Sequence, residues 1–308
     1  MVDVPESLVA RAHAFLADPR EPVDPRDAAT VVLLRDRAAG AGRAAGMGGV
    51  VGVGGDVGGE VGGGGLEVYL LRRAGTMAFA AGMHVFPGGS VDPRDGDAGT
   101  AWAGPSPAEW GRRLGCEDQL ARALVCAAVR ETFEESGVLL AGTSETNVVA
   151  DTTADDWEAE RVALESRELS LTDFLNRRGL VLRTDLLGVW DAWLTPIFEP
   201  KRYRTWFFVA LLPSGQITRD VSTESSSVEW IPARVAAEQA DAGDLALMPP
   251  TYLTSMEVGE HSSPEEVLAV AGSRSVEMFT PSVEPLGEGW TLSMPDRLRP
   301  LVAARRRA

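Results

Sequence analysis

Three glutamates share one face of a candidate helix in the segment "AAVRETFEESGV", residues 127–138. Glu131, Glu134 and Glu135 have the i, i+3 and i+4 spacing, which places Cβ atoms about 5–6 Å apart. Like charges at this spacing repel, so a solvated acidic face is the ordinary interpretation of such a run. Here small and apolar residues precede Arg130, and an apolar run follows Gly137 at once, which indicates a packed environment.

A divalent cation would remove this repulsion, since Mg²⁺ and Mn²⁺ prefer carboxylate, water and phosphate oxygens as ligands. Such an ion can neutralise a pyrophosphate and lower the pKa of a bound water. The glutamate spacing therefore indicates metal-assisted attack on a phosphoanhydride. The histidines His13, His84 and His261 lie far apart in the sequence, which argues against a histidine-based zinc site.

Composition limits the classes of partner. The net charge of −16 argues against a nucleic-acid-binding surface. Apolar runs stay shorter than the roughly 18 residues of a membrane helix, and the acidic first twenty residues do not resemble a secretory signal. We therefore expect a cytoplasmic protein in which Cys116 and Cys126 are free thiols. A homodimer is compatible with the sequence, which does not determine the oligomeric state.

Strand and helix patterns alternate along the chain and predict an α/β or α+β class. Residues 28–35 and 66–74 read as paired strands, residues 75–95 end in a Pro-Gly-Gly turn, and residues 119–139 form the glutamate helix. Helices follow within 151–179, strands within 180–196, 204–213 and 225–232, and further helices after Ala233, with a frayed basic tail. The glycine-rich residues 38–65 lack the lysine of a phosphate-binding loop and read as a flexible connection.

The segment "RETFEESGV" resembles the second half of the Nudix box, R-E-U-x-E-E-x-G-U, with threonine at an aliphatic position. The first half, G-x5-E, has a counterpart in "GSVDPRD", where Asp95 stands at the glutamate position counted from Gly89. Residues 96–129 separate the halves, a far longer spacer than the family's, so the helix must begin late. The chain is thus similar to Nudix hydrolases with a split box.

A second motif narrows this resemblance. "LLRRAGTMAFAAGMHVFPGG" is similar to the coenzyme A signature, roughly L-L-x-R-[SA]-x8-G-x3-F-P-G-G, of the peroxisomal and mitochondrial coenzyme A diphosphatases. Its matching residues are Arg73, Ala74, Gly82, Phe86, Pro87, Gly88 and Gly89, whereas the leading leucines are shifted by one position. With the downstream matches, the resemblance extends from about Ala28 to Leu253.

The resemblance implies a role for several side chains. Glu131, Glu134 and Glu135 would be the metal ligands, and Arg130 would orient a glutamate. Gly88 and Gly89 would let the backbone pass close to the metal and the substrate. The general base is a box glutamate or a later acid, for which Glu224 is preferred over Glu229, and an ordinary surface carboxylate is equally compatible. Arg73, Arg202 and Arg204 are candidate phosphate-binding residues, although the "KRYR" cluster could equally be a solvated loop.

We therefore expect a Nudix α/β/α sandwich with a mixed sheet at residues 28–235, preceded by an extension (1–27), interrupted by an insertion (96–118) and followed by a helical extension (236–308) packed on the same domain. The expected activity is Mg²⁺- or Mn²⁺-dependent hydrolysis of coenzyme A or acyl-coenzyme A to 3′,5′-ADP and a phosphopantetheine. Two alternatives stay open: hydrolysis of a nucleoside diphosphate derivative, and a non-catalytic Nudix-fold sensor.

Overall fold

The computed structural model describes residues 6–37, 65–77, 80–286 and 289–305 of the 308-residue chain. The glycine-rich segment predicted to be flexible lies outside these residues, except for Gly65. Within the described ranges, no helix has the length and apolar character needed to cross a bilayer. Both cysteines are free, as predicted, and burial raises the pKa of Cys116 to about 11 and that of Cys126 to about 12.

Twelve strands occur in the described residues: β1 (Arg26–Asp36), β2 (Leu66–Arg73), β3 (His84–Val85), β4 (Gly88–Ser90), β5 (Trp102–Ala103), β6 (Ala141–Gly142), β7 (Val181–Arg183), β8 (Leu187–Leu194), β9 (Tyr203–Leu211), β10 (Ser225–Pro232), β11 (Val283–Leu286) and β12 (Gly289–Leu292). The α-helices in the same ranges are α1 (Glu6–Ala17), α2 (Pro107–Leu114), α3 (Asp118–Ser136), α4 (Asp155–Glu165), α5 (Leu171–Arg178), α6 (Ala233–Ala242), α7 (Pro249–Val258), α8 (Pro264–Gly272) and α9 (Arg299–Arg305).

A mixed sheet forms the centre of the fold, with strand order β10-β2-β1-β9-β8. The long strand β1 pairs in parallel with β9 along its length, while its other edge is shared by β4 near Ala28–Thr30 and β2 near Leu34–Asp36. The two glycines predicted to form a turn instead lie in β4, because they pair with Thr30 and Ala29 of β1. This pairing brings the "PGG" segment to the middle of the sheet.

Alternating apolar residues of the central strands supply two cores, one on each face of the sheet. Val31 and Leu33 of β1 face the core that contains the apolar side of α3, whereas Val32 and Leu34 face the core that contains α6, α7 and α8. This alternation is the period of two expected of a strand buried on both faces. The predicted α/β/α sandwich is confirmed. Helices α6, α7 and α8 cover the second face, and the tail predicted to be frayed is helical through α9.

The glutamate helix begins late, as predicted. The inserted segment forms β5 and α2 before α3 starts at Asp118. α3 ends at Gly137, which has φ +74° and donates its N–H to the Phe133 carbonyl. Glycine suits this left-handed position because it has no Cβ. A Cβ here would also lie 2.7 Å from the Arg219 guanidinium, which would have to move.

Candidate active site

The last turns of α3 pack against β4 and bury the acidic residues between them. The side chains of Glu131 and Glu134 are 13% and 8% exposed, and Glu135 is likewise buried. The structure therefore brings together the three glutamates predicted from their spacing. It excludes the solvated acidic face, because solvent reaches little of these carboxylates.

Arg130 lies among these carboxylates and holds them in place. Its Nη1 donates to Glu131 Oε1 at 2.8 Å and to Glu134 Oε2 at 3.1 Å. Its Nε and Nη2 donate to the two oxygens of Asp95 at 3.0 and 2.9 Å, and Nη2 also reaches the Ser90 carbonyl at 3.0 Å. The planar fork of arginine suits this bidentate geometry. Arg130 thus contacts two of the three predicted metal ligands, and its orienting role stays a prediction.

Asp95 reaches Arg130 although residues 96–129 separate the halves of the motif. It sits in a short 3₁₀ helix, Pro93–Gly96, whose N-cap is Asp92. The Asp95 carboxylate accepts the Asp92 N–H at 2.8 Å and is buried. The chain beyond it leaves through the insertion and returns at α3, so the long spacer does not disturb the Asp95–Arg130 pair.

The two glycines of β4 touch both the sheet and the glutamates. The N–H of Gly88 donates to Glu135 Oε2 at 2.7 Å. A Cβ at Gly88 would lie 2.5 Å from the Ala29 carbonyl oxygen, and one at Gly89 would collide with the Glu131 carboxylate. A side chain is therefore excluded at Gly88 and would displace the Glu131 carboxylate at Gly89, while the approach of both glycines to a metal and a substrate stays a prediction.

Burial and mutual repulsion disfavour the charged forms of the glutamates. Burial, followed by the charge of Glu131, raises the pKa of Glu134 to about 8 and that of Glu135 well above its ordinary value. The pKa of Glu131 is also raised by burial, although Arg130 opposes this shift. For Arg130, burial is outweighed by the neighbouring carboxylates, so its pKa is raised. The site thus holds more buried acid than this guanidinium neutralises.

This donor set fits a hard divalent cation. Carboxylate oxygens are its preferred protein ligands, and a cation would supply the positive charge that the raised pKa values show to be lacking. Within the described ranges, no three histidine, cysteine or acidic side chains converge on one point as a preformed metal site. Glu131 and Glu134 are instead turned toward Arg130, and Glu135 toward the Gly88 amide.

Glu224, the preferred later acid, lies near the glutamates. Its carboxylate accepts from Arg73 Nη2 at 3.3 Å, and its backbone carbonyl accepts the Ala74 N–H at 2.8 Å. Its charge contributes to the raised pKa values of Glu131 and Glu135. Glu224 is 52% exposed at the side chain, so it is open to solvent as well as close to the buried acids.

The other candidates lie elsewhere. Glu229 sits in β10 and faces His84, with 3.6 Å between Glu229 Oε1 and His84 Nε2. Arg202 is buried, and its guanidinium donates to the backbone carbonyls of Thr195 and Val23. Arg204 pairs with Asp27 at 2.7 Å beside β1. These contacts are structural, and the substrate-binding role of both arginines stays a prediction.

Three residues near the site escaped the sequence analysis. The Tyr69 hydroxyl donates to the Arg219 carbonyl at 3.0 Å, and burial together with the charges of Asp220 and Glu135 raises its pKa. Arg161 Nη1 donates to the Glu134 backbone carbonyl at 2.7 Å. Arg219 also donates its N–H to the Ser136 carbonyl. None of these contacts follows from local spacing, because each joins distant segments.

Comparison with known proteins agrees with this geometry. A family model described as the NUDT19 Nudix domain matches residues 113–257, which include the glutamate helix. The chain is 29% identical to putative nudix hydrolase 7 of Caenorhabditis elegans over 188 residues, or 59% of this chain and 52% of that protein. It is 25% identical to acyl-coenzyme A diphosphatase NUDT19 of Gallus gallus over 249 residues, or 68% and 66%. The chain thus spans between half and two thirds of these relatives.

A solved structure extends the likeness to the fold. The crystal structure of a NUDIX hydrolase from Alicyclobacillus acidocaldarius superimposes with a TM-score of 0.63 at 27% sequence identity. The match covers 83% of this chain and 99% of that one. Together with the split box and the buried glutamates, these similarities show that the chain has the fold of Nudix hydrolases and resembles them along the glutamate helix.

Proposed function

We propose that this protein hydrolyses the phosphoanhydride of coenzyme A or acyl-coenzyme A with Mg²⁺ or Mn²⁺, giving 3′,5′-ADP and a phosphopantetheine or its acyl form. The observation that carries the proposal is the buried group of Glu131, Glu134 and Glu135 beside the Gly88–Gly89 backbone. A buried acidic group with uncompensated charge is expected at a site for a cation and a substrate pyrophosphate.

Glu131, Glu134 and Glu135 would hold the divalent cation, and Arg130 would fix their orientation. The bound cation would neutralise the pyrophosphate oxygens and acidify a water molecule. Because Arg130 already contacts Asp95, its guanidinium is held in place by a carboxylate outside the predicted ligand set. Replacing Arg130 or Asp95 should therefore leave all three predicted ligands in the chain but allow their carboxylates to move.

In the proposed reaction a water oxygen attacks one phosphorus of the anhydride and the bridging P–O bond breaks. Glu224 would accept the water proton, since it is the half-exposed carboxylate beside the buried group. A general base of this kind typically contributes about 10²–10⁴-fold. Arg73, whose Nη2 lies 3.3 Å from Glu224, would contact a phosphate of the substrate through its fork.

The substrate class rests on two kinds of support. The segment of β2 through β4 carries the coenzyme A-type signature, with Arg73 at one end and Gly88–Gly89 at the other. Two relatives bear the name acyl-coenzyme A diphosphatase. A nucleoside diphosphate derivative is the second candidate, because the same glutamate group serves any phosphoanhydride.

The test is hydrolysis of a panel with Mg²⁺ or Mn²⁺: coenzyme A, an acyl-coenzyme A, ADP-ribose, NADH and a nucleoside triphosphate. We expect coenzyme A species to be cleaved fastest and Glu134→Gln to be inactive. Glu117→Gln is the matched control, since Glu117 is an exposed glutamate at the start of the same helix. If the wild-type protein prefers ADP-ribose, the substrate is a nucleoside diphosphate derivative. If the wild-type protein cleaves no member of the panel and Glu134→Gln binds ligands as the wild type does, the sensor is favoured.

A further inference from the structure

Helix α4 directs one buried arginine into the glutamate helix. Arg161 is 3% exposed at the side chain, and its Nη1 donates to the Glu134 backbone carbonyl at 2.7 Å. The same guanidinium pairs with two acids of its own helix, Glu158 at 2.8 Å and Glu165 at 2.9 Å. Arg161 thus fixes α4 to α3 at one of the predicted metal ligands.

Glu165 continues this connection to the loop that precedes β10. Its Oε2 accepts from Arg161, while its Oε1 accepts both the N–H of Thr223 at 2.8 Å and the Thr223 hydroxyl at 2.7 Å. Thr223 directly precedes Glu224. A continuous series of charge-assisted hydrogen bonds therefore runs from the Glu134 carbonyl through Arg161 and Glu165 to the residue beside Glu224.

A second set of contacts holds the start of the same loop. The Arg219 N–H donates to the Ser136 carbonyl at 2.9 Å, and its Nη1 donates to Glu158 at 2.6 Å. Its carbonyl accepts the Tyr69 hydroxyl at 3.0 Å. The loop is thus attached to the end of α3 through Arg219 and to α4 through Thr223.

Such attachment has a chemical consequence for Glu224. The exposed side chain of Glu224 can sample several conformations, and each contact that holds its loop narrows them. A proton acceptor must lie within hydrogen-bond reach of the attacking water, and a displacement of about 1 Å can reduce the rate about 10²-fold. Hydrogen bonds that hold the loop can therefore fix the position of Glu224 relative to the glutamates.

We propose that Arg161 and Glu165 are positioning residues, which link the backbone of the metal-binding helix to the loop of the general base and so fix Glu224 against the glutamate group. This inference rests on the proposed function, in which Glu224 accepts the water proton. In this proposal α4 holds the end of α3 and the loop before β10 at a fixed distance from each other.

The experiment combines kinetics with a double-variant comparison. Glu165→Ala is expected to lower kcat about tenfold with little change in KM, because substrate contacts are untouched. In the Glu224→Gln background the same change should have no further effect on kcat, since its target is gone. Glu160→Ala is the matched control: Glu160 is also an acid of α4, but it pairs with Arg178 of α5. It should leave kcat unchanged.

Thr223 provides a conservative pair and a readout independent of activity. Thr223→Ser keeps the hydroxyl that donates to Glu165 and should retain wild-type kcat, whereas Thr223→Val should lower it. In hydrogen exchange, peptides spanning residues 216–224 should exchange faster in Glu165→Ala than in Glu160→Ala.

The outcomes separate this inference from the proposed function. Equal losses of kcat from Glu165→Ala in the wild-type and Glu224→Gln backgrounds, or unchanged loop exchange, would overturn the positioning role. A wild-type protein that cleaves no member of the panel would overturn the proposed function instead, and the exchange measurement would still decide whether Glu165 holds the loop.

Discussion

Removing the guanidinium at the centre of the acidic group should destabilise the metal-free protein. In Arg130→Met the apolar stem is kept, but the contacts to Asp95, Glu131, Glu134 and the Ser90 carbonyl are lost. All three carboxylates are largely buried, so water cannot replace the lost donors without opening the packing of α3 against β4.

The size of the effect follows from burial. Removing one partner of a buried ion pair typically costs about 3–5 kcal/mol, because a charge is left uncompensated. For a domain near this size, that corresponds to a fall in Tm of roughly 6–20 °C. Arg130→Lys should lie between wild type and Arg130→Met, since a single ammonium keeps the charge but cannot form the bidentate pair with Asp95 while also reaching the glutamates.

The assay is urea unfolding at neutral pH in the presence of a chelator, followed by circular dichroism. Arg94→Met is the matched control, because Arg94 forms a similar bidentate pair with Asp92, with both distances 2.9 Å, in the same 3₁₀ segment. Arg94 is 43% exposed, so its pair should contribute at most about 1 kcal/mol.

The comparison of these two arginines tests the reasoning. If Arg130→Met and Arg94→Met lower the free energy of unfolding by similar small amounts, the acidic group does not depend on a buried cation.

Further predictions concern the same group and its surroundings. Gly89→Ala should weaken Mn²⁺ binding and lower kcat by at least about tenfold, since its Cβ collides with Glu131, and titration calorimetry with Mn²⁺ would show this directly. In the metal-free protein, the pKa of Glu134 is raised to about 8, so the folded state holds a proton that the unfolded state releases above its ordinary value near 4.5. Stability should therefore fall by up to several kcal/mol as the pH rises from about 4.5 to 8, and saturating Mg²⁺ should flatten this dependence in chelator-controlled melts. Arg73→Met should raise KM for coenzyme A about tenfold, and an unchanged KM would remove Arg73 from the substrate contacts.

The sequence alone determined the parts of the site that lie on one element. Helical periodicity places Glu131, Glu134 and Glu135 on one face, and Gly137 ends the helix in the left-handed conformation. Alternating apolar residues identify β1 as a strand buried on both faces. These features are local, because backbone geometry repeats every 3.6 or 2 residues whatever the remainder of the chain does.

Pairing between strands changed the interpretation of the "PGG" segment. Gly88 and Gly89 have turn-type composition, yet they form β4, because the first half of β1 offers a free edge and the approach at Gly88 is too close for a Cβ. Contacts between distant segments also changed the interpretation of Arg202, whose charge suggested that it binds a substrate phosphate. Its donors satisfy backbone carbonyls instead, which the sequence around it does not indicate.

Tertiary structure alone decided which distant groups meet. Asp95 meets Arg130 because the chain between them, which forms β5, α2 and the first part of α3, returns to the 3₁₀ segment. Arg161 and Glu165 of α4 likewise join the Glu134 carbonyl to Thr223, which precedes Glu224, and the spacing of acids along α4 does not indicate either contact. Helical spacing fixes neighbours within one turn, whereas contacts between segments depend on how all the elements pack together, and no local pattern encodes that.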